Sequence, residues 1–171
     1  MSQTRLNHVS IVAHDMAESL EFYQDVFGLK HIPSPNFQTD VEWLRAGDLQ
    51  LHLFERDVPA PRYHHFALYV NDFETAYRTV KEMEIITDIT DDQPEDRVYV
   101  LPDGAVQMYI EDPAGNLVEV NYHDAAELDE SVVTDLVHRE ELTPDIGAGR
   151  AGEARLLTEA FLRAGADGSR S

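Results

Sequence analysis

Residues 8–23 read HVSIVAHDMAESLEFY, and residues 65–80 read HFALYVNDFETAYRTV. Each stretch opens with a histidine, continues with five residues typical of a β-strand, and reaches an aspartate followed by an amphipathic pattern. The aspartates, Asp15 and Asp72, are natural helix N-caps, so each stretch predicts a strand followed by a helix. The two stretches therefore indicate an internal repeat that opens each time with a β-α unit.

Further strands are predicted after each helix. The segments LKHIPSPNF, DVEWLRA and DLQLHLFE follow the first helix, and EIITDIT, RVYVL, AVQMYIE and NLVEVNY follow the second. Residues 56–62 contain two prolines and form the predicted joint between the copies. The sequence thus predicts an α+β domain over residues 1–123, with two βαβββ modules at about 5–55 and 63–122.

The remaining residues, 124–171, are predicted to form a C-terminal helical extension. Apolar residues at helical spacing favour one amphipathic helix over 124–141 and another over 153–164, separated by a segment with Pro and Gly. The final residues, GADGSRS, are expected to be disordered. The pattern leaves open whether this extension caps the core, covers a site or binds a second subunit.

Composition restricts the possible partners. Thirteen basic against 33 acidic residues give a formal net charge of −20, which argues against nucleic acid and anionic membranes as partners because both would be repelled. Only two of the basic residues are lysines, and this acidic, lysine-poor composition is typical of proteins from halophilic hosts, where salt screens self-repulsion. A soluble, cytoplasmic protein is expected, since the chain has neither a secretory pattern nor a long apolar run.

Alternation along the predicted strands separates an apolar face from a polar one. The polar face carries His8, His52, His65, Tyr109 and Glu119. Each of these alone could be an ordinary structural residue, but burying several ionisable groups is costly unless they pair or bind a metal. His8 and His65 also hold the same place in the repeat. Because the chain has no cysteine, a metal would depend on such His, Asp and Glu side chains.

These segments resemble the vicinal oxygen chelate superfamily, which includes glyoxalase I, extradiol dioxygenases, fosfomycin-resistance enzymes and bleomycin-binding proteins. The resemblance covers residues 5–122, through LNHVSIVAHDMAESLEFYQDVFGL, LQLHLFE, HHFALYV and YIEDPAGNLVEV in that order. It implies a curved, cup-like mixed sheet with helices outside and one divalent metal held by His8, His65 and Glu119. Such a ligand set leaves positions open for a substrate that chelates through two adjacent oxygens, and for water or dioxygen.

His52 and Tyr109 discriminate among the activities that the resemblance implies. Glyoxalase I-like members place Glu or Gln on the strand of His52 as a fourth ligand, whereas extradiol dioxygenases have an acid/base histidine shortly before the second metal histidine. His52 precedes His65 in this way, although it could also be a fourth ligand. Tyr109 resembles the extradiol tyrosine that hydrogen-bonds the substrate or a bound oxygen species. The chain lacks a further histidine that extradiol enzymes have before this tyrosine, and Gln107 is a polar substitute.

The resemblance therefore implies an extradiol-type dioxygenase that uses Fe(II) or Mn(II) on a catecholic small molecule. The first alternative is a glyoxalase I-like lyase, a lactoylglutathione lyase that uses Ni(II) or Zn(II), in which Glu119 or His52 moves a proton. A non-catalytic bleomycin-resistance-type binder is disfavoured because the metal ligands are kept. Fosfomycin modification is disfavoured because no cationic phosphonate-binding set can be placed.

Two further expectations concern His64 and the oligomeric state. His64 neighbours the candidate ligand His65, but alternation turns it to the other face, so it is interpreted as a bystander at the start of the strand. A homodimer is expected because members of the superfamily often dimerise by exchanging modules, and the joint at 56–62 is compatible with such an exchange.

Overall fold

The computed structural model describes residues 6–36, 39–61, 63–88, 97–139, 156–158 and 160–163. The first module contains β1 (His8–Ala13), α1 (Met16–Phe27), β2 (Lys30–Ile32), β3 (Val41–Ala46) and β4 (Leu49–Glu55). The second contains β5 (His65–Tyr69), α2 (Phe73–Glu82), β6 (Ile86–Thr87), β7 (Val98–Val100), β8 (Val106–Glu111) and β9 (Leu117–Tyr122). A 3-10 turn (Ala125–Glu127) and β10 (Leu136–His138) follow.

Each module forms its own mixed sheet. The first has the order β1-β4-β3-β2, with β1 parallel to β4 and the other pairs antiparallel. The second has the order β10-β7-β8-β9-β5, with β5 parallel to β9, and β6 also pairs with β8. The short strands β6 and β7 pair with different parts of β8. Both strands are shorter than the sequence segments that predict them. The prediction of an α+β fold with two βαβββ-type modules is confirmed.

Both module helices begin where the aspartates predict. The Asp15 side chain accepts a hydrogen bond from the backbone N–H of Glu18 at 3.0 Å, and Asp72 accepts one from Thr75 at 3.0 Å. The first helix ends at Gly28, whose φ of 64° lies in the left-handed region that glycine adopts without a steric cost. Within the described ranges, no helix is long and apolar enough to cross a membrane.

The helices pack on the apolar sides of the strands. Tyr23 of α1 and Val80 of α2 are fully buried, as are Leu53 of β4 and Val118 of β9. These side chains belong to one hydrophobic cluster that joins both modules. The opposite sides of the same strands are therefore free to carry the polar candidate residues.

A buried polar contact ties the modules together at the turn between β8 and β9. The Tyr23 hydroxyl donates to Oδ2 of Asp112 at 2.7 Å, and Asn116 Nδ2 donates to the backbone carbonyl of Val12 at 2.7 Å. Asp112 also accepts from the backbone N–H groups of Ala114 and Asn116. Burial raises the pKa of Asp112, and these donors oppose that rise by stabilising its carboxylate.

The C-terminal extension differs from the helical prediction. Residues 124–138 form the 3-10 turn and β10, which pairs in parallel with β7, instead of one helix over 124–141. The run SVVT contains three β-branched residues, which lower the helix propensity. The Asp129 side chain also accepts a hydrogen bond from the backbone N–H of Ser131, and this local bond favours a turn over a helix. Val133 is nonetheless buried in the core. Of the second predicted helix, residues 160–163 are helical and residues 156–158 are not, while 140–155, 159 and 164–171 lie outside the described residues.

Tyr23→Phe is expected to lower the free energy of unfolding by about 1.5–3 kcal/mol, because it removes a buried hydrogen bond to a carboxylate. Urea denaturation followed by circular dichroism measures this change. Tyr122→Phe is the matched control, since its hydroxyl donates to Glu127 at an exposed site, and loss of that hydrogen bond should cost only about 0.5 kcal/mol. Equal effects of the two substitutions would show that the Tyr23–Asp112 contact does not stabilise the fold.

Candidate metal centre

The second module places two candidate ligands side by side. In the parallel pair of β5 and β9, Ala67 opposes Glu119, and His65 lies two residues before Ala67 on the same face. The Nε2 atom of His65 is 3.1 Å from Oε2 of Glu119. Two ligand atoms bound about 2.1 Å from one ion and at right angles are about 3.0 Å apart. This spacing therefore fits two adjacent ligands of a single metal.

The ring orientations of His8 and His65 suit ligation through Nε2. Nδ1 of His8 lies 2.7 Å from Oδ1 of Asn7, and Nδ1 of His65 lies 3.2 Å from the backbone oxygen of Tyr63. An oxygen acceptor at Nδ1 favours the proton there and leaves the Nε2 lone pair for a metal. Both histidines thus have an orienting partner of the kind that metal ligands usually have.

Glu119 is buried beside a phenol. The side chain of Tyr109 opposes Glu119 in the β8–β9 pair, and each residue is 5% exposed. Gln107 Nε2 donates to the Tyr109 oxygen at 2.7 Å, and the Tyr109 ring meets the His65 ring edge-on at 5.6 Å. Burial, followed by the nearby Glu119 charge, raises the pKa of Tyr109. The phenol therefore keeps its proton at neutral pH and can donate it in a hydrogen bond.

The first module holds His8 and His52 in an aromatic stack. Their ring centroids are 4.4 Å apart with an interplanar angle of 13°, and the other side of His52 stacks on Trp43 at 4.3 Å. The lone pair of a ring nitrogen lies in the plane of the ring, so two nearly parallel rings cannot both point at one ion. In this arrangement His8 and His52 are neighbours rather than two ligands of the same metal.

His52 has one ring nitrogen engaged and is nearly buried. Its Nε2 lies 2.9 Å from Oε1 of Gln50, which favours the proton on Nε2 and leaves a lone pair on Nδ1. Burial and the neighbouring His8 imidazole lower the pKa of His52. A neutral imidazole with a free lone pair can accept a proton, as a general base must.

Trp43 was not among the residues that the sequence singled out. Its position on the polar face follows from alternation in DVEWLRA, but its contact with His52 depends on the register of β3 against β4. The indole fixes the His52 ring from the side opposite His8.

The two halves of the ligand set do not converge within one chain. Among the described residues, no group of three or more His, Asp or Glu side chains is placed to hold a metal ion. Asn116 hydrogen-bonds to Val12, and the next residue, Leu117, is the register partner of His65. The later end of β1 is therefore joined to the segment that lies beside His65.

A cleft of about 400 Å³ lies at this junction between the modules. It contains His65 and the exposed His64, which precedes β5 as predicted, but not His8, His52 or Glu119. Its other lining residues come from β1, β4, β5, the joint, and the β8–β9 turn with the start of β9: Val9, Ser10, Ile11, Val12, Phe54, Arg56, Val58, Pro59, Pro61, Phe66, Asn116 and Leu117. Of the three candidate metal ligands, the cleft therefore includes His65 alone.

Known proteins resemble about two thirds of this chain or slightly more. A curated relative, the uncharacterized protein YwbC of Bacillus subtilis (strain 168), is 27% identical over 125 residues, which are 67% of this chain and 94% of that protein. The solved structure of oxidase ChaP-H2 matches with a TM-score of 0.59 and 24% identity, covering 71% of this chain and 95% of that one. Lactoylglutathione lyase from Agrobacterium tumefaciens matches with a TM-score of 0.52 and 26% identity, with coverage of 71% and 95%.

The family assignment comes from a sequence model that matches residues 5–120, the part of the chain that contains both modules. The superfamily resemblance predicted from the repeat and the closing segment is thereby confirmed. By this match the chain belongs to the Glyoxalase/Bleomycin resistance protein/Dioxygenase superfamily.

Proposed function

We propose that this chain is a metal-dependent vicinal oxygen chelate enzyme, an extradiol-type dioxygenase that cleaves the ring of a catecholic substrate. The observation that carries the proposal is the contact between His65 and the buried Glu119 beside the protonated phenol of Tyr109. A buried carboxylate without a full cationic partner is costly, and a divalent ion would offset that cost.

His8, His65 and Glu119 would hold the metal. Their nitrogen and oxygen donors suit Fe(II) or Mn(II), and the orienting partners at Nδ1 of both histidines support their use as ligands. When bound, such an ion would chelate two adjacent substrate oxygens and stabilise the negative charge that develops on them.

The remaining residues would act on protons and orientation. His52 accepts a catechol hydroxyl proton at Nδ1, while Gln50 holds its Nε2 proton and Trp43 holds its ring. Tyr109 donates a hydrogen bond to a substrate oxygen from a position fixed by Gln107. His52 is assigned this role, and not that of a fourth ligand, because its ring is parallel to that of His8.

The second candidate is a glyoxalase I-like lyase. It is favoured by the 26% identity to the lactoylglutathione lyase from Agrobacterium tumefaciens. In this reaction Glu119 or His52 would move a proton between adjacent carbons of a thiol adduct, with Ni(II) or Zn(II) as the metal.

We also propose that the metal centre forms between two copies of the chain. His65 and Glu119 lie together, and His8 lies beside His52, but the described residues of one chain do not bring the two groups to one ion. A second copy could supply the missing His8 to each His65–Glu119 pair. A symmetric homodimer would then contain two equivalent centres.

Alanine substitution of His8, His65 or Glu119 is expected to weaken metal binding by more than about 100-fold, because each removes a ligand. Metal content after anaerobic Fe(II) loading and gel filtration measures the loss. His31→Ala is the matched control. His31 pairs with Glu42 and opposes the buried Leu44, so it lies on the face of the sheet opposite to the candidate ligands. Full occupancy in all three variants would refute the metal centre.

Fe(II)-loaded protein given oxygen and a panel of catechols is expected to form coloured ring-cleavage products. In His52→Ala most of the metal should remain, while turnover falls by about 10²–10⁴-fold, as expected for loss of a general base. Absence of ring cleavage, together with hemithioacetal isomerisation under Ni(II) or Zn(II), would instead identify the lyase.

Mixing His8→Ala with His65→Ala is expected to restore metal binding. In a dimer with shared centres, random mixing makes about half of the dimers heterodimers, each with one intact centre of two, so about a quarter of the wild-type occupancy returns. The variants are unfolded and refolded together, and metal content is compared with that of each variant refolded alone. No recovery in a mixture shown to contain heterodimers would place the centre within a single chain.

A further inference from the structure

A row of side chains runs across the first sheet from His8 to the opposite edge. His8 opposes Gln50, Gln50 opposes Arg45, and Arg45 opposes Lys30. Directly opposed residues share a face of a sheet. Since His8 stacks on His52 and Gln50 bonds to it, the row lies on the polar face that carries the candidate centre.

The spacing of the row follows from strand geometry. Neighbouring strands are about 4.8 Å apart, so the backbone of Arg45 lies about 10 Å from that of His8, and Lys30 about 14 Å. Both side chains are long and can reach back toward the centre. Both cations thus lie close enough to His8 for a small molecule whose oxygens bind at His8 to reach them.

The charges of Arg45 and Lys30 are unusual at these positions. Like charges directly opposed on neighbouring strands destabilise a sheet. The chain has 33 acidic residues, yet the arginine and lysine ion pairs of the described residues involve other cations, with Arg78 near Glu74 and Lys81 on Asp135. Both Arg45 and Lys30 are exposed. The fold therefore keeps two neighbouring cations that no described acid neutralises.

The overall charge makes such a pair useful. The excess of acidic residues repels an anionic small molecule that comes close to the surface. A local cationic pair offsets this repulsion over a short range, because salt screens charges separated by more than about 10 Å. An arginine also binds a carboxylate through two parallel hydrogen bonds, which orients it.

We infer that Arg45 and Lys30 bind an anionic group on the substrate, a carboxylate carried on a side chain several bonds from its adjacent hydroxyl groups. The inference rests on the proposed function, because it takes those hydroxyl groups to sit at His8. Arg45 and Lys30 are then residues that determine specificity, and the substrate class is an acidic catechol rather than a neutral one.

The test compares 3-(3,4-dihydroxyphenyl)propionate with its primary amide, which has nearly the same size and no charge. Their dissociation constants are measured by calorimetry on the metal-loaded, full-length protein without oxygen. The acid is expected to bind about tenfold more tightly than the amide. In Arg45→Gln and in the Lys30→Gln/Arg45→Gln double variant this preference should fall toward one, while binding of the amide stays unchanged.

Arg78→Gln is the matched control for Arg45→Gln, because it removes one positive charge from the exposed side of α2 and should leave the preference intact. Thermal unfolding provides a second readout. Since like charges repel, Arg45→Gln should not lower the melting temperature.

Each other outcome overturns the inference in a recognisable way. Equal affinities for acid and amide in the wild type would refute an anion site while leaving the metal centre in place. A double variant that loses acid and amide alike, with dissociation of the dimer, would show that the cations pair with a second copy. If neither compound bound the metal-loaded wild type, the proposed function would fail together with the inference.

Discussion

In both modules the first strand pairs in parallel with the last, and this pairing positions the candidate ligands. Ser10 opposes His52 in one module, and Ala67 opposes Glu119 at the same place in the other. Strand pairing fixes which side chains share a face, and a slip of one residue would turn all of them to the other side. The apolar residues packed under the helices resist such a slip, so burial in the core also holds the polar face in register.

The repeat is symmetric in backbone but not in chemistry. Where the second module has a buried carboxylate next to a phenol, the first has an imidazole held between two other rings. One half is anionic and enclosed, and the other is aromatic and more exposed. Duplicated modules can diverge in this way because each half keeps its strand pairing while the side chains on the polar face change.

Much of this arrangement could be predicted from the sequence, because it depends on local patterns. The helix caps at Asp15 and Asp72 and the shared face of His65, Tyr109 and Glu119 follow from spacing along the chain. The stack of Trp43 on His52 could not be predicted, since it depends on how two strands are aligned. The apolar spacing of the extension predicts a helix, but β10 instead forms a strand that pairs with β7.

The parallel closure of each module also makes the contacts between its candidate residues long-range in the chain. His8 and His52 are 44 positions apart in the chain, and His65 and Glu119 are 54 apart. Each pair therefore meets only when a long segment of the chain closes, and such closure is slow. Candidate residues so far apart in the chain differ from the closely spaced ligands through which a metal ion folds a zinc finger.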